Sequence, residues 1–176
     1  MNIYYYKYTT TLDLLGVVDD FVSFSFQRSF SGVGEFQLVL DGNSLNAARV
    51  KEANVIAVKD GVAGFISKVE ETHSEDDYKI TFTGVELKGI VSKRIVYPPT
   101  DEAYLKVAAA PETIIATLLQ TQLIAPEDSR RKLPLMSISS YTVSNSKLSK
   151  EYRFSDIQEE IVALAETYSI GWYADI

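Results

Sequence analysis

Cysteine is absent from this chain, and histidine and tryptophan each occur once among its 176 residues. The absence of cysteine excludes disulfide frameworks, thiolate metal sites and cysteine nucleophiles. Because His73 is the only histidine, a metal site would have to be built from carboxylates. The sequence predicts no metal ion and no cofactor.

Long apolar runs are also lacking. None approaches the ~20 residues that cross a bilayer. The N-terminus does not combine the basic flank and apolar core of a signal peptide. The sequence therefore predicts a soluble protein that has no membrane partner.

Basic residues are outnumbered, because 17 Lys and Arg face 24 Asp and Glu, which gives a net charge of −7. Surfaces that bind nucleic acid need a clustered excess of basic side chains to neutralise phosphates. The densest basic cluster is Arg130, Arg131 and Lys132, which we interpret as a solvated loop. The charge balance argues against a sequence-specific nucleic-acid partner.

Tyrosine and phenylalanine are abundant, with 11 and 8 residues. Aromatic side chains fit pleated surfaces, so this composition favours sheets over a helical bundle. The length corresponds to one domain, or to one domain and part of a second. A chain of this size buries roughly 70% of its unfolded surface, which is enough for a core without cross-links.

Apolar and polar residues alternate over several short segments of the first half, as they do in strands with one buried face. The alternation predicts strands at residues 3–8, 21–30 and 35–40. Residues 12–18 are a further candidate strand, which Gly16 interrupts. In the third strand, Val22, Phe24 and Phe26 are predicted to share a face. A turn containing Gly32 and Gly34 follows that strand. Further along, Asp41, Gly42, Asn43 and Ser44 end the fourth strand and are predicted to cap a short helical turn that runs through Arg49.

Two hairpins are predicted after that turn. Asp60-Gly61 separates residues 55–59 from residues 62–70, and Asp-Gly suits the positive φ angles of a tight hairpin turn. Residues 74–77 form the second turn, before a strand whose inward face contains Tyr78, Ile80 and Phe82. Residues 84–94 shift towards helical spacing, which predicts a short helix or an irregular return.

The most plausible boundary lies at residues 97–100, where Pro98 and Pro99 prevent strand pairing. Beyond it, Pro111 stands at a natural first helical position, and Pro126 ends that helix. Residues 133–140 and 141–148 are predicted to be strands or extended loops. The helix predicted at residues 155–168 has capping-box spacing at Ser155 and Gln158.

Residues 169–176 look like the beginning of a strand. An apolar strand that ends at the last residue suggests a fragment of a longer polypeptide, because complete domains more often end in a short polar tail.

Residues able to carry chemistry are few. The acidic turn formed by residues 70–77 lacks the ligand spacing of a calcium loop, so we interpret it as solvated. Gly32-Val33-Gly34 precedes a strand pattern instead of a helix, which excludes a phosphate-binding loop. Glu35, Glu159 and Glu160 are the carboxylates to test for glycoside hydrolysis, although surface charge explains them better. The sequence predicts no catalytic, cofactor-binding or metal-binding residue.

The order of these parts resembles a known family. The residues that carry the resemblance are Gly34-Glu35-Phe36, GFISKVEE from Gly64, TFTGVELKGIVSKRIV from Thr81, PETIIATLL from Pro111 and IVALAETYSIGWYADI from Ile161. Together they resemble the N-terminal region of siphophage tail-tip hub proteins, also called tail-associated proteins. These proteins are similar to the baseplate hub of contractile-tailed phages.

The resemblance implies an α+β fold, in which an antiparallel tail-tube-like β-barrel at residues 1–97 precedes a smaller mixed α/β domain. Residues 98–150 would be an inserted α+β domain, and residues 151–176 would begin a second, incomplete barrel. It implies a non-catalytic structural protein of a phage or prophage virion tail, assembled in the bacterial host cytoplasm. The implied partners are the tail tube, the distal tail protein, the fibre or tip proteins and two further copies in a homotrimer.

Two other functions stay open. A carbohydrate- or receptor-binding module predicts an exposed aromatic patch, for which Tyr4, Tyr6 and Tyr8 are the candidates. A cell-wall hydrolase would need two carboxylates that face each other across a cleft.

Overall fold

Alternating residues in the first half form seven strands of one antiparallel sheet. The computed structural model describes residues 1–58, 61–74 and 77–176 of the chain. The strands are β1 (Ile3–Tyr8), β2 (Leu12–Val18), β3 (Phe21–Phe26), β4 (Glu35–Asp41), β5 (Val55–Ala57), β6 (Ala63–His73) and β7 (Tyr78–Glu86). Their order in the sheet is β2-β1-β5-β6-β7-β4-β3.

Two compact units make up the described chain. The first contains Met1–Ser29, Val33–Gly89 and Tyr173–Ile176. The second contains Phe30–Gly32 and Ile90–Trp172. The domain limits predicted at residues 97 and 150 stay predictions.

The sheet of the first unit is strongly curled. β2 and β3 lie at opposite ends of the strand order, yet only Asp19 and Asp20 separate them in sequence. Seven flat strands would span about 29 Å, at about 4.8 Å per neighbour. Three Cα steps reach at most about 11 Å. The two edge strands are therefore close together at this end of the sheet.

One apolar core lies inside the curl. β3 and β6 contribute partly buried side chains to it, including Phe24, Phe26 and Ile66. Its buried members come from the other five strands and from α1 (Leu45–Val50) with the residues after it. They are Ile3, Tyr5, Val18, Phe36, Leu38, Leu40, Ala47, Val50, Ala53, Ile56, Ile80 and Phe82.

Most of the predicted strands are confirmed, and the fold class is a mixed α+β fold whose sheet is antiparallel. β1 and β2 have the predicted bounds, whereas β3 ends at Phe26 instead of residue 30. Among the described residues no hydrogen-bonded pairing joins β2 to β3. The closed barrel therefore stays a prediction.

The face predicted for Val22 is wrong. The register of β3 against β4 shifts between Phe21 and Ser23, so Val22 is an extra residue on the bulged strand. The bulge turns Val22 outwards, where 54% of it is exposed, while Phe24 and Phe26 still pack against the core.

The predicted connections within the sheet are largely confirmed. The Ser44 side chain caps α1 by accepting a hydrogen bond from the Asn46 N–H at 3.1 Å. β5 and β6 form an antiparallel hairpin, and Gly61 has a φ of +76°. Asp60 of the predicted turn lies outside the described residues. After β7, Leu87–Lys93 forms a 3-10 helix, as the change of spacing predicted.

The second unit combines a two-stranded sheet with two helices. β8 (Leu105–Ala109) pairs with β9 (Leu148–Tyr152), and α2 (Pro111–Leu119) continues into a π-helical turn at Gln120–Ile124. α3 (Ile157–Thr167) presents Ile157, Ile161 and Leu164 to the interior. Pro111 occupies the start of α2, as predicted.

Two predictions for the second half are wrong. Asp156, and not Ser155, caps α3, because its side chain accepts the Glu159 N–H at 3.1 Å. Residues 169–176, where we predicted the beginning of a strand, contain none. Their backbone bonds go elsewhere, since the Ile170 N–H donates to the Ala165 carbonyl at 2.8 Å and supports the end of the helix.

Leucine truncation tests the position of the core. Leu40 is fully buried in β4, whereas Leu14 in β2 is 56% exposed. We expect Leu40→Ala to lower the free energy of unfolding by about 2–5 kcal/mol. The matched Leu14→Ala variant changes it by less than about 0.5 kcal/mol. Urea unfolding measures both values, and equal losses in the two variants would contradict this account of the core.

Candidate interaction surfaces

His73, the only histidine, lies in a cross-strand pair. It is opposite Tyr78, and the two rings stack with centroids 3.9 Å apart. Glu71 accepts hydrogen bonds from Lys51 and from the Tyr78 hydroxyl, and these bonds lower the pKa of its carboxyl. Glu75 and Asp76 of the acidic turn lie outside the described residues. Within the described residues no three His, Asp or Glu side chains could hold a metal ion together.

Gly34 serves the packing of the backbone. A Cβ at this position would lie 1.9 Å from the Gln27 carbonyl oxygen, so two segments of main chain approach each other here. Its N–H donates to Glu86 Oε2 at 2.8 Å. The Gly34 N–H is therefore already hydrogen-bonded to a carboxylate. A strand, and not a helix, follows Gly34, as the alternating pattern predicted.

Glu86 and Lys88 form a buried pair beside the segment that connects β3 to β4. Glu86 Oε2 also accepts the Ser29 N–H at 3.2 Å, and Lys88 Nζ donates to the Ser29 carbonyl at 2.6 Å. Burial lowers the pKa of Lys88, and Glu86, whose Oε2 is 3.4 Å from Nζ, opposes that effect. Our sequence reasoning missed this pair, although Glu86 continues the inward phase of Ile80 and Phe82 along β7.

The three carboxylates that we named for a test of glycoside hydrolysis are exposed or half-buried side chains. Glu35 is exposed on β4, and Glu159 is exposed in the first turn of α3. Glu160 is half-buried; burial of Tyr152, together with the Glu160 charge, raises the pKa of that tyrosine to about 12. These positions give no chemical reason to assign catalysis to them.

The tyrosines of β1 do not form an open platform. Tyr4, Tyr6 and Tyr8 share the face opposite the core, but each is half-buried. Tyr8 packs edge-on against Phe65, with ring centroids 5.6 Å apart. The expected exposed aromatic patch is therefore not at these positions.

An exposed aromatic cluster lies in the second unit instead. Tyr97 and Phe154, which are 55% and 49% exposed, meet edge to face at 5.4 Å. Arg131 lies over the Tyr97 ring, and Arg153 lies over the rings of Phe154 and Tyr104. Aromatic and arginine side chains are enriched where proteins bind partners.

Phe154 holds its position in this cluster with a φ of 54°, a left-handed conformation that is rare for a bulky residue. Its N–H donates to the Val96 carbonyl at 2.8 Å, which fixes the backbone there. Local strain of this kind is often found at functional sites.

The basic cluster is tied to its own surroundings. Arg130 pairs with Asp128 at 2.8 Å, and Arg131 donates to the Ile95 carbonyl at 2.6 Å. The Arg130 hydrogen bond lowers the pKa of Asp128. Two of the three cations are thus engaged within the chain, and Ser129–Arg131 forms a short 3-10 helix where we predicted a solvated loop.

The outer face of the sheet carries a shallow groove of about 640 Å³. Neutral polar side chains such as Ser25, Gln37 and Thr83 make up half of its lining, and Phe26 and Phe36 also contribute to it. This is the wet face that the strand alternation predicts.

An extended segment of the second unit is exposed. Residues 136–144 have no secondary structure, and residues 137–143 are all exposed. Within the described part of the chain, residues 136–143 make no hydrogen bond. We call residues 136–143 the arm. The sequence predicted strands or extended loops at residues 133–140 and 141–148, and the arm lies within these residues.

Glu112 anchors the C-terminal end of the arm. This residue of α2 is 8% exposed, and its Oε1 accepts hydrogen bonds from the backbone and side chains of Ser144 and Asn145 at 2.8–3.2 Å. Burial alone would raise the pKa of Glu112, but the bonds from Ser144 and Asn145 outweigh it and lower the pKa to about 2. The chain therefore has a charged clamp that fixes where the arm ends.

None of the described helices combines the length and the apolar character needed to span a membrane.

Comparison with known proteins gives a family and a fold. The sequence matches a family model described as siphovirus ReqiPepy6 Gp37-like protein over residues 4–174. No curated protein matches the sequence.

Two solved structures align with this chain, and the first of them shares its fold. The prophage tail protein gp18 from Listeria monocytogenes EGD-e aligns with 8% identity and a TM-score of 0.56, covering 94% of this chain and 45% of that one. The tail protein from Neisseria meningitidis MC58 aligns with 10% identity and a TM-score of 0.49, covering 99% and 48%. The chain therefore spans less than half the length of either protein.

Removing the charge of the clamp tests how the arm is held. The pKa of Glu112 is lowered from 4.5 to about 2, so its stabilising effect is complete above pH 4.5 and is lost as the pH falls towards 2. We expect Glu112→Gln to speed hydrogen exchange at the Ser144 and Asn145 amides above pH 4.5. The difference from the wild type should shrink as the pH falls towards 2.

Glu159→Gln is the control, because Glu159 is an exposed glutamate in the first turn of the other long helix. It should leave exchange at Ser144 and Asn145 unchanged. A Glu112→Gln variant with wild-type exchange at both amides would show that the clamp does not hold the arm.

Proposed function

Because the chain belongs to the siphovirus ReqiPepy6 Gp37-like family, we propose that it is a structural protein of a phage or prophage tail that performs no catalysis. The observation that carries the proposal is the family match, which extends over residues 4–174. The shared fold with the Listeria prophage tail protein gp18 supports it. The place that we propose in the tail is the hub at the tip, where the distal end of the tube meets the host-facing parts.

The barrel is part of this proposal. The two-residue link between β2 and β3 brings the ends of the sheet together, and one core receives side chains from all seven strands. We propose a tail-tube-like barrel at residues 1–97 that is open between β2 and β3 in a single copy. Residues 98–150 would be an insertion, and residues 151–176 the first elements of a second barrel.

The proposed partners follow from a place at the tail tip. They are the tail tube, the distal tail protein, the fibre or tip proteins and further copies of this chain in a homotrimer. A ring of identical copies needs a contact in which different surfaces of neighbouring copies meet. The molecule would be assembled in the host cytoplasm and would reside in the virion tail.

Labelling of intact particles tests the place in the tail. We expect a gold-labelled antibody against the chain to mark one end of the tail in electron micrographs, because a hub occurs only at the tip. Purified tails without the chain, or label spread along the tube, would contradict the proposal.

Carbohydrate or receptor binding is the second candidate, and the exposed cluster around Tyr97 and Phe154 favours it. Aromatic faces can stack on sugar rings. If this function holds, the chain should bind cell-wall glycans in calorimetric titrations, and Tyr97→Ala should weaken binding at least about tenfold, a loss of 1.4 kcal/mol. Tyr173→Ala, which removes a tyrosine that is 69% exposed in the first unit, should not. No heat of binding from the wild type would eliminate this candidate.

A further inference from the structure

The β2 strand presents an unusually apolar sheet edge. It pairs only with β1, so its other side has backbone N–H and C=O groups that no described strand meets. Leu14, Leu15 and Val17 are all exposed along it. Natural sheets usually protect such edges with lysine, proline or a covering segment. β2 contains neither lysine nor proline, and its only charged residue is Asp13.

A bulge explains why two adjacent leucines are exposed on this strand. The register against β1 shifts between Tyr5 and Tyr6, so that Gly16 and Leu14 are partners of consecutive residues and Leu15 is extra. The other edge strand, β3, is less apolar, because Val22 is its one large exposed hydrophobic residue. Of the two edge strands, β2 therefore has more exposed apolar surface for a partner to cover.

The arm has the complementary properties. Ile138, Tyr141 and Val143 are exposed along it, and these residue types favour strands. Its backbone makes no hydrogen bond within the described chain, so its polar groups are available to another strand. An extended segment with exposed β-forming side chains suits addition to a sheet edge.

The arm is anchored to the second unit at both of its ends. Leu133 before it is buried, and its N–H donates to the Leu123 carbonyl at 2.8 Å. Glu112 holds Ser144 after it. Fixing both ends reduces the entropy lost when the arm binds.

Charge favours a contact between copies at these two places. The chain carries a net charge of −7, so copies repel each other overall. Residues 133–146 contain no charged side chain, and β2 contains one. A contact between these segments brings few like charges together.

We propose that the arm of one copy adds as a strand to the β2 edge of a neighbouring copy. The inference rests on the proposed function and deepens it, because it names the two surfaces that join copies in the homotrimer. The contact is heterologous: each copy gives an arm to one neighbour and an edge to the other. Repeated around an axis, such a contact closes a ring.

Cysteine cross-linking tests the contact directly, since the chain has no cysteine of its own. Leu14→Cys and Val17→Cys on the edge are each mixed with Tyr141→Cys or Val143→Cys on the arm. We expect at least one mixture to give a disulfide-linked dimer, because paired strands bring Cα atoms within the ~4.4–6.8 Å that a disulfide needs. Each variant carries a single cysteine, so any edge-to-arm bond joins two copies.

Val22→Cys is the matched control, because Val22 is 54% exposed on the other edge strand, against 56% for Leu14. Its mixtures with the arm variants should give only background cross-linking. Edge-to-arm mixtures that never exceed this background would overturn the proposal.

Self-association provides a second readout. The wild type should oligomerise in sedimentation experiments at concentrations up to about 1 mM, which detects contacts as weak as about −4 kcal/mol. Leu14→Lys should lower its association at least about tenfold, whereas Val22→Lys should not. A mixture of Leu14→Lys with an arm variant, Tyr141→Ser and Val143→Ser together, should regain association, because one supplies the arm and the other the edge.

Thermal unfolding followed by circular dichroism checks that the variants still fold. The four side chains substituted in the association experiment are exposed, so we expect each variant to unfold at the same temperature as the wild type. A wild type that stays monomeric, or a Leu14→Lys variant that associates normally, would overturn the proposal. Gold labelling at the tail tip does not depend on this contact, so either result would leave the proposed place in the tail standing.

Discussion

The link between β2 and β3 is two residues long, yet the strands that it joins lie at opposite ends of a seven-stranded sheet. A flat sheet cannot satisfy that connection, so the strands must curl around a common interior. The curl explains why Val18 at the end of β2 and Phe36 in β4 belong to one core. It also sets the relation between the two edges, which meet near Asp19 and Asp20 and carry bulges that change their exposed faces.

Local patterns were enough to predict most of this sheet. Sequence patterns predicted β1 and β2 at their observed bounds, and the four polar or small residues after β4 predicted a capped helical turn, in which Ser44 is the cap. Alternation failed at Val22, because a bulge depends on the partner strand and leaves no mark in the strand's own sequence. For the same reason the order of the strands could not be read from their sequences, and neither could the curl.

The polar anchors were harder to predict because their partners are distant in sequence. Glu86 binds the amide of Gly34, 52 positions away, and Glu112 binds Asn145, 33 positions away. Spacing rules operate over a few residues and cannot detect such pairs. The prediction for the cap of α3 was wrong because Ser155 and Asp156 are both residue types that cap helices well. The helix begins one residue later than predicted, so Asp156 is the N-cap. The strand predicted at residues 169–176 is absent, because a strand needs a partner and no described strand pairs with this segment.

The buried carboxylates share one physical role, which bears on what the molecule does. Glu86 fixes the loop between β3 and β4, and Glu112 fixes the end of the arm. Each carboxylate is buried at the cost of desolvation, and each recovers that cost through hydrogen bonds from main-chain amides. In both cases the carboxylate fixes a connecting segment to a rigid element, a use that fits a structural tail protein.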